Sequence, residues 1–378
     1  MTDNQAPSPF RDLRKNVEIN VGKTCNNKCV FCLDGMPTKD DKKFIDFEVM
    51  KSELERWRNE GHLSVGFLGG EPTAYPRIAE SIAHAHALGF TRIAVATNAM
   101  MFRRRAFVDQ LVDAGLTRVT ISMHGHNGPL EDKLTGVPGG FEKKCQAIRH
   151  LQDKQKEGKL KDGLSVNVVL NGWNYRHLLK MMRFFFDEMG LDDLRVNFVR
   201  PEGYAEGSSD LTPTYSDVVP ILMKAVLLNE YHFQKVFTFG GFPFCVLPEE
   251  FLGSKNLVKK YVGDIYRDLS TDCSIRNEGF DVGVAQVENG RSRFNWQDRK
   301  RYDLKNHMQA CETCELTDLC EGVWRGYLDI YGESELAPIS VEAGRVVRRL
   351  PYLASPPLPH QNVPKSSFPM RLTVLHDV

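Results

Sequence analysis

Apolar and polar residues alternate along Val17, Ile19 and Val21, and the same period of two returns in β-branched runs ending near Leu68, Thr97, Ser122, Val169 and Val199. Between these runs apolar positions recur every three or four residues, which predicts helices over 47–58, 76–88, 104–114, 141–156, 175–189 and 215–229. Six strand–helix units in succession predict an α/β fold with a parallel sheet and right-handed crossovers. Six units are fewer than a closed eightfold barrel needs, so the pattern admits an open doubly wound sheet or a partial barrel. The rhythm stops near 229–236, which divides the chain into a β/α domain over 15–230 and a smaller region over 231–337. From 338 on, Pro351, Pro356, Pro357, Pro359, Pro364 and Pro369 predict a tail that lies over the surface or is disordered.

Composition narrows the class. Hydrophobic residues are 42% and charged residues 26% of the 378, ordinary for a globular protein. The 49 basic and 49 acidic residues cancel, so no field argues for nucleic acid as a partner. Residues 1–10 lack an apolar signal core, and the most apolar helix, 218–228, is broken by Lys224 and too short to span a bilayer. The expectation is a soluble, cytoplasmic protein. Six of the nine cysteines lie in two short motifs, which points to metal ligation rather than disulfides.

The first motif directly follows the first strand. Cys25, Cys29 and Cys32 form a CxxxCxxC spacing, and three thiolates on one loop can bind three corners of a [4Fe-4S] cluster while leaving one iron open. A structural zinc knot is the alternative, but zinc wants four ligands and the next Cys or His is His62. CxxxCxxC in this position, with Phe31 before its last cysteine, resembles the signature of the radical S-adenosylmethionine (SAM) superfamily. The resemblance implies a partial (β/α)6 TIM barrel, a SAM-binding [4Fe-4S] cluster on Cys25, Cys29 and Cys32, and cleavage of SAM to a 5'-deoxyadenosyl radical. It also assigns residues at the C-terminal ends of the strands, where α/β folds place active sites. Gly69, Gly70, Glu71 and Pro72 look like the family's GGEP motif for the SAM amino group, with glycines permitting close backbone approach. Thr97 and Asn98 fall where the SAM ribose or methionine is met, and Ser122 is placed for the SAM carboxylate or ribose. Phe31, Asn167 and Asn197 are grouped with the cofactor residues, the two asparagines either lining the cavity or completing an internal network. His124 and His126 are expected at the mouth, where they hydrogen-bond substrate hydroxyls or serve as acid and base, with His124 the catalytic candidate; a plain polar loop is the alternative. Cys145 shares a helical stripe with Phe141 and Ile148 and reads as packing. His84, His86, His150 and His177 sit within predicted helices.

The second motif, Cys311, Cys314 and Cys320, has a CxxCxxxxxC spacing that resembles part of the C-terminal SPASM and twitch auxiliary-cluster domains. Trp324 stands where the full pattern has another cysteine, which favours one auxiliary [4Fe-4S] cluster over two. Cys245 or Cys273 supplies the fourth ligand, and Cys245 is preferred because Gly240, Gly241 and Pro243 make a rigid approach loop. A zinc ribbon on the same cysteines is the alternative. Cys273 is then a partly buried thiol or a hydrogen-atom donor to a substrate radical. Because 24 residues precede Cys25, a small polar metabolite such as a sugar, nucleoside or amino acid is the expected substrate, and a flavodoxin or ferredoxin the expected electron donor. Maturation of a ribosomal peptide and a non-catalytic metal-binding scaffold are the alternatives.

Overall fold

The computed structural model describes residues 14–34, 44–263, 271–274, 293–296, 300–342 and 345–348. Seven strands, β1 (Asn16–Asn20), β2 (Ser64–Leu68), β3 (Arg92–Thr97), β4 (Arg118–Ser122), β5 (Gly163–Leu170), β6 (Asp193–Phe198) and β7 (Val236–Gly240), pair in parallel with their sequence neighbours. On the far side of β1, β8 (Thr271–Ser274) pairs in parallel and β9 (Arg293–Asn295) then pairs antiparallel with β8. Helices α1 (Phe47–Asn59), α2 (Ile78–Ala87), α3 (Arg105–Asp113), α4 (Gly128–Thr135), α5 (Gly140–Lys156), α6 (Leu178–Arg183) and α7 (Tyr215–Leu228) connect the strands. The fold is an α/β partial TIM barrel whose sheet carries past residue 231 into β7 and takes β8 from further on.

One face of the sheet makes the core. Val17, Ile19, Val65, Phe67, Ile93, Val95, Val119, Ile121, Val166, Val168 and Val196 are fully buried, as expected where a parallel sheet packs against helices. The alternate residues face the lumen, and several are small or polar: Asn20, Gly66, Ala96, Ser122, Asn167 and Asn197. Ala96 is exposed although β3 is central in the sheet, so the lumen is open beside it.

The smaller region docks on the N-terminus of α7. Glu335 accepts from the backbone N–H of Tyr215 at 3.2 Å and Ser216 at 3.0 Å, a carboxylate where the helix dipole is positive. Tyr327 stacks on Tyr215 with ring centroids 4.1 Å apart. Within the expected tail, Ile339–Glu342 and Arg345–Arg348 pair as an antiparallel hairpin whose Ile339 is buried, so the ordered chain extends past 338. The six prolines of that tail lie outside the described residues.

Candidate active site at the barrel mouth

The cysteine loop leaves β1 at Asn20 and is gripped from three sides. Its stem is held by the β2 turn, where Gly70 N–H donates to Gly22 O at 2.6 Å and Glu71 N–H to Thr24 O at 2.8 Å. A Cβ on Gly70 would lie 2.4 Å from Lys23 O, so glycine is required there for the two loops to touch. The middle of the loop lies on the end of α4: Lys28 N–H donates to Thr135 O and Val30 N–H to Leu134 O, at 2.8 and 3.0 Å. Its far end is met by the loop after β6, where Tyr204 N–H donates to Cys32 O at 3.1 Å.

Cys25, Cys29 and Cys32 are all half-buried, and no disulfide involves any of the nine cysteines. Burial pushes the Cys25 thiol up to about 11 and that of Cys29 to about 12, with Cys32 raising both and Cys25 adding to the rise at Cys29. Only a positive centre offsets that penalty and keeps the sulfurs as thiolates. Two donors already favour charge on Cys25, the Asn27 N–H at 3.4 Å and the Asn98 side-chain amide at 3.8 Å. Asn27, 7% exposed, has both side-chain polar atoms buried without a partner. The thiol set and this orphaned amide fit an iron–sulfur group. Among the described residues no three His, Cys, Asp or Glu side chains converge on a single-ion site.

The expected SAM residues divide into two groups. Glu71 is 1% exposed, and its carboxylate accepts from Thr73 N–H at 2.9 Å, Thr97 hydroxyl at 2.6 Å, Asn98 N–H at 2.7 Å and the Thr73 hydroxyl. Thr97 and Glu71 are therefore ties between the ends of β2 and β3, and their side chains are committed to protein partners. Asn98 extends the tie to the cysteine loop, donating to Asn26 Oδ1 at 2.6 Å. Gly69 and Gly70 spend their freedom on the approach to Gly22–Thr24, and Pro72 is buried at the start of a short 3-10 turn. Ser122, Asn167 and Asn197 are half-buried on the lumen face, with Asn197 donating to Asn167 Oδ1 at 2.7 Å.

His124 departs from its expected role. Its imidazole is 3% exposed, sits edge-on to Phe31 with centroids 4.8 Å apart, and accepts Val169 N–H on Nδ1 at 3.1 Å. Burial drops it to about 4, so it is a neutral packing element rather than an acid or base at the mouth. Phe31 likewise packs beneath the loop at 7% exposure. His126 is half-buried and stacks on His177, with centroids 5.2 Å apart. Cys145 is buried on α5, as its stripe predicts.

At the second motif, Cys314 N–H donates to Cys311 O at 3.1 Å, and Cys320 Sγ accepts from Gly322 N–H at 3.4 Å and from the backbone N–H of Phe244. The Phe244 contact puts the Cys245 segment against Cys320. Tyr215, fully buried, is coupled electrostatically to both Cys245 and Cys320, and its hydroxyl has no partner. Cys273 lies elsewhere, on β8 in register with Glu18 of β1, and so shares the lumen face with it.

Sequence reasoning missed Glu131 and Lys144, a buried ion pair beneath the cysteine loop at 2.6 Å. The signal was present: Lys144 stands on the buried stripe of Ile148 and Leu151, where a charge is out of place.

Residues 19–185 of this chain, which hold the cysteine loop, the end of β1 and the strands β2–β5 of the barrel, match the family model of the Radical SAM superfamily. Its sequence is 27% identical to the PqqA peptide cyclase of Bradyrhizobium diazoefficiens over 203 residues, 53% of this chain and 51% of that protein. The chain therefore spans about half the length of that relative. It is 26% identical to a probable GTP 3',8-cyclase of Metallosphaera sedula over 239 residues, 61% of this chain and 69% of the other. In structure it resembles Streptococcus suis SuiB bound to its precursor peptide SuiA, with TM-score 0.58 and 18% identity over 84% of this chain and 73% of SuiB. Among the described residues no helix is long and apolar enough to cross a membrane.

Proposed function

We propose that the chain is a radical SAM enzyme that modifies a ribosomally made peptide. The observation carrying the peptide reading is the similarity to PqqA peptide cyclases, which favours a peptide over the expected small polar metabolite. Cys25, Cys29 and Cys32 would hold a [4Fe-4S] cluster that, when bound with SAM, supplies the 5'-deoxyadenosyl radical. The chain's own residues do the rest. Glu71, Thr97 and Asn98 fix the loop ends around Cys25, and Ser122, Asn167 and Asn197 offer hydrogen bonds along the lumen. Ala96 leaves space beside them.

The contact of Phe244 with Cys320 and the orphaned Tyr215 hydroxyl support one auxiliary [4Fe-4S] cluster on Cys245, Cys311, Cys314 and Cys320. The place of Cys273 on the lumen face supports its reading as a hydrogen-atom donor. A flavodoxin or ferredoxin would deliver the electron. The similarity to GTP 3',8-cyclases favours a second reading, a nucleotide substrate. Anaerobic protein is to be incubated with SAM, dithionite and either GTP or a panel of synthetic precursor peptides that includes PqqA and SuiA. A peptide that raises 5'-deoxyadenosine and changes in mass supports the proposal; turnover on GTP alone overturns it.

A further inference from the structure

The stretch 218–228, broken only by Lys224, is more apolar than a barrel helix with one face on the sheet requires. Its inner face packs the core: Val218, Leu222, Met223 and Val226 of α7 are buried, as are Leu178, Met181 and Met182 of α6 beside it. Leu227 and Leu228 are left over. With Leu179 of α6 they are half-buried and floor a groove of about 510 Å³ between the two helices on the outside of the barrel.

The rim of this groove is cationic. Lys180 and Arg183 stand on α6 and Lys224 on α7, all three exposed, and among the described residues none of them pairs with a carboxylate. Asp187 and Glu230, from the turns that follow the two helices, face His232 at 3.8 Å and Lys260. Each helix ends in a π turn, 184–188 and 229–233, and the two turns are tied by Phe186 on Phe233 with centroids 5.1 Å apart. Such turns recur at functional sites. The second carries Tyr231, which lines the groove and is 66% exposed.

An apolar floor between unmatched cations selects an occupant with the inverse pattern. A second copy of this chain, seated about a two-fold axis, would set cation against cation. Residues 349–378 carry Arg349, Lys365 and Arg371 against one acidic side chain, Asp377, so their charge has the wrong sign. A helix with an apolar stripe flanked by glutamate or aspartate satisfies floor and rim together.

We propose that the α6–α7 groove is a docking site for an acidic amphipathic helix of a partner polypeptide. The groove follows the last turns of α7, which lead into the start of β7 and so toward the end of the barrel opposite the mouth. A partner held there leaves the lumen open.

The test titrates full-length protein against fluorescein-labelled synthetic helices of about 18 residues, or five turns, read by fluorescence anisotropy. The first peptide has leucines at helical spacing flanked by glutamates; the second has lysine in place of glutamate; the third keeps the glutamates and has serine in place of leucine. Wild type is expected to bind the first about ten-fold or more tighter than either of the others, and the triple variant Lys180→Glu, Arg183→Glu, Lys224→Glu to lose that preference and favour the second. Native circular dichroism of the variant shows that it is folded, and the comparison of the three peptides on wild type carries the test without it. Failure of wild type to bind the first peptide, or equal binding of it by wild type and a folded variant, overturns the proposal. Equal binding of the first and third by wild type overturns it as well, since charge alone would then be the attraction. A wild-type dimer in analytical ultracentrifugation that the triple variant lacks would assign the groove to a second copy and overturn it too.

Discussion

The imidazole of His124 has its acceptor nitrogen bonded to Val169 N–H and its ring against Phe31, so protonation must break a buried hydrogen bond. Its folded value near 4 lies below the ordinary 6.5 of an exposed histidine. Between those values the unfolded chain takes up a proton that the folded protein refuses, so acidification favours unfolding. The cost is absent above about pH 6.5 and approaches about 3 kcal/mol near pH 4. His124→Gln, which keeps an acceptor for Val169, is expected to lose less stability than wild type between pH 7 and pH 5 in urea unfolding. An equal loss in both proteins would assign the acid limb to other groups. A histidine two residues past a strand end reads as a rim residue from sequence, because strand position gives direction but not depth. Depth here is set by Phe31 and Val169 meeting the ring, residues about 90 and about 45 positions away in sequence.

At the scale of elements, α4 holds the middle of the cysteine loop, and it is the barrel helix that the apolar pattern does not reveal. It is eight residues long, and its buried face carries Glu131 and Thr135 beside Leu134, so the usual apolar stripe is missing. The punctuation was legible: Asn127 caps the first turn by accepting Leu130 N–H at 3.0 Å, Pro129 starts it, and Gly136 ends it with φ +65°. Gly136 also lies under Lys28, and a Cβ there would be 2.8 Å from Lys28 O. Gly136→Ala is therefore expected to cost about 1 kcal/mol or more and to displace the loop, lowering iron content while far-UV circular dichroism stays native. Unchanged iron per chain would show that the loop does not depend on this contact. The longer helices, α1, α2, α3, α5 and α7, were legible because each buries a mainly apolar stripe. Strand β7 was passed over because it is five residues long and runs straight into the Gly240-Gly241 loop.

For the molecule as a whole, the two cysteine motifs occupy separate places, one at the barrel mouth and one where the smaller region meets the loop after β7. Cys245→Ala is expected to lose about four of about eight irons per chain, whereas Cys273→Ala should keep all of them and alter the product. Iron loss from Cys273→Ala alone would reverse the ligand assignment. The placement of β8 has a separate consequence for how the molecule is made. Asn16 donates to the Thr271 hydroxyl at 3.1 Å across 255 residues, and His62 meets Asp272 at 2.9 Å. During synthesis from the N-terminus, β1 can pair with β2 early, but its other edge stays unsatisfied until residue 271 leaves the ribosome. The strand that launches the cysteine loop thus emerges before the other described strands and is among the last of them to be enclosed, so a nascent chain stalled before 271 would present an open edge beside the thiols. Metal loading on such a chain would precede closure of the wall that shelters it.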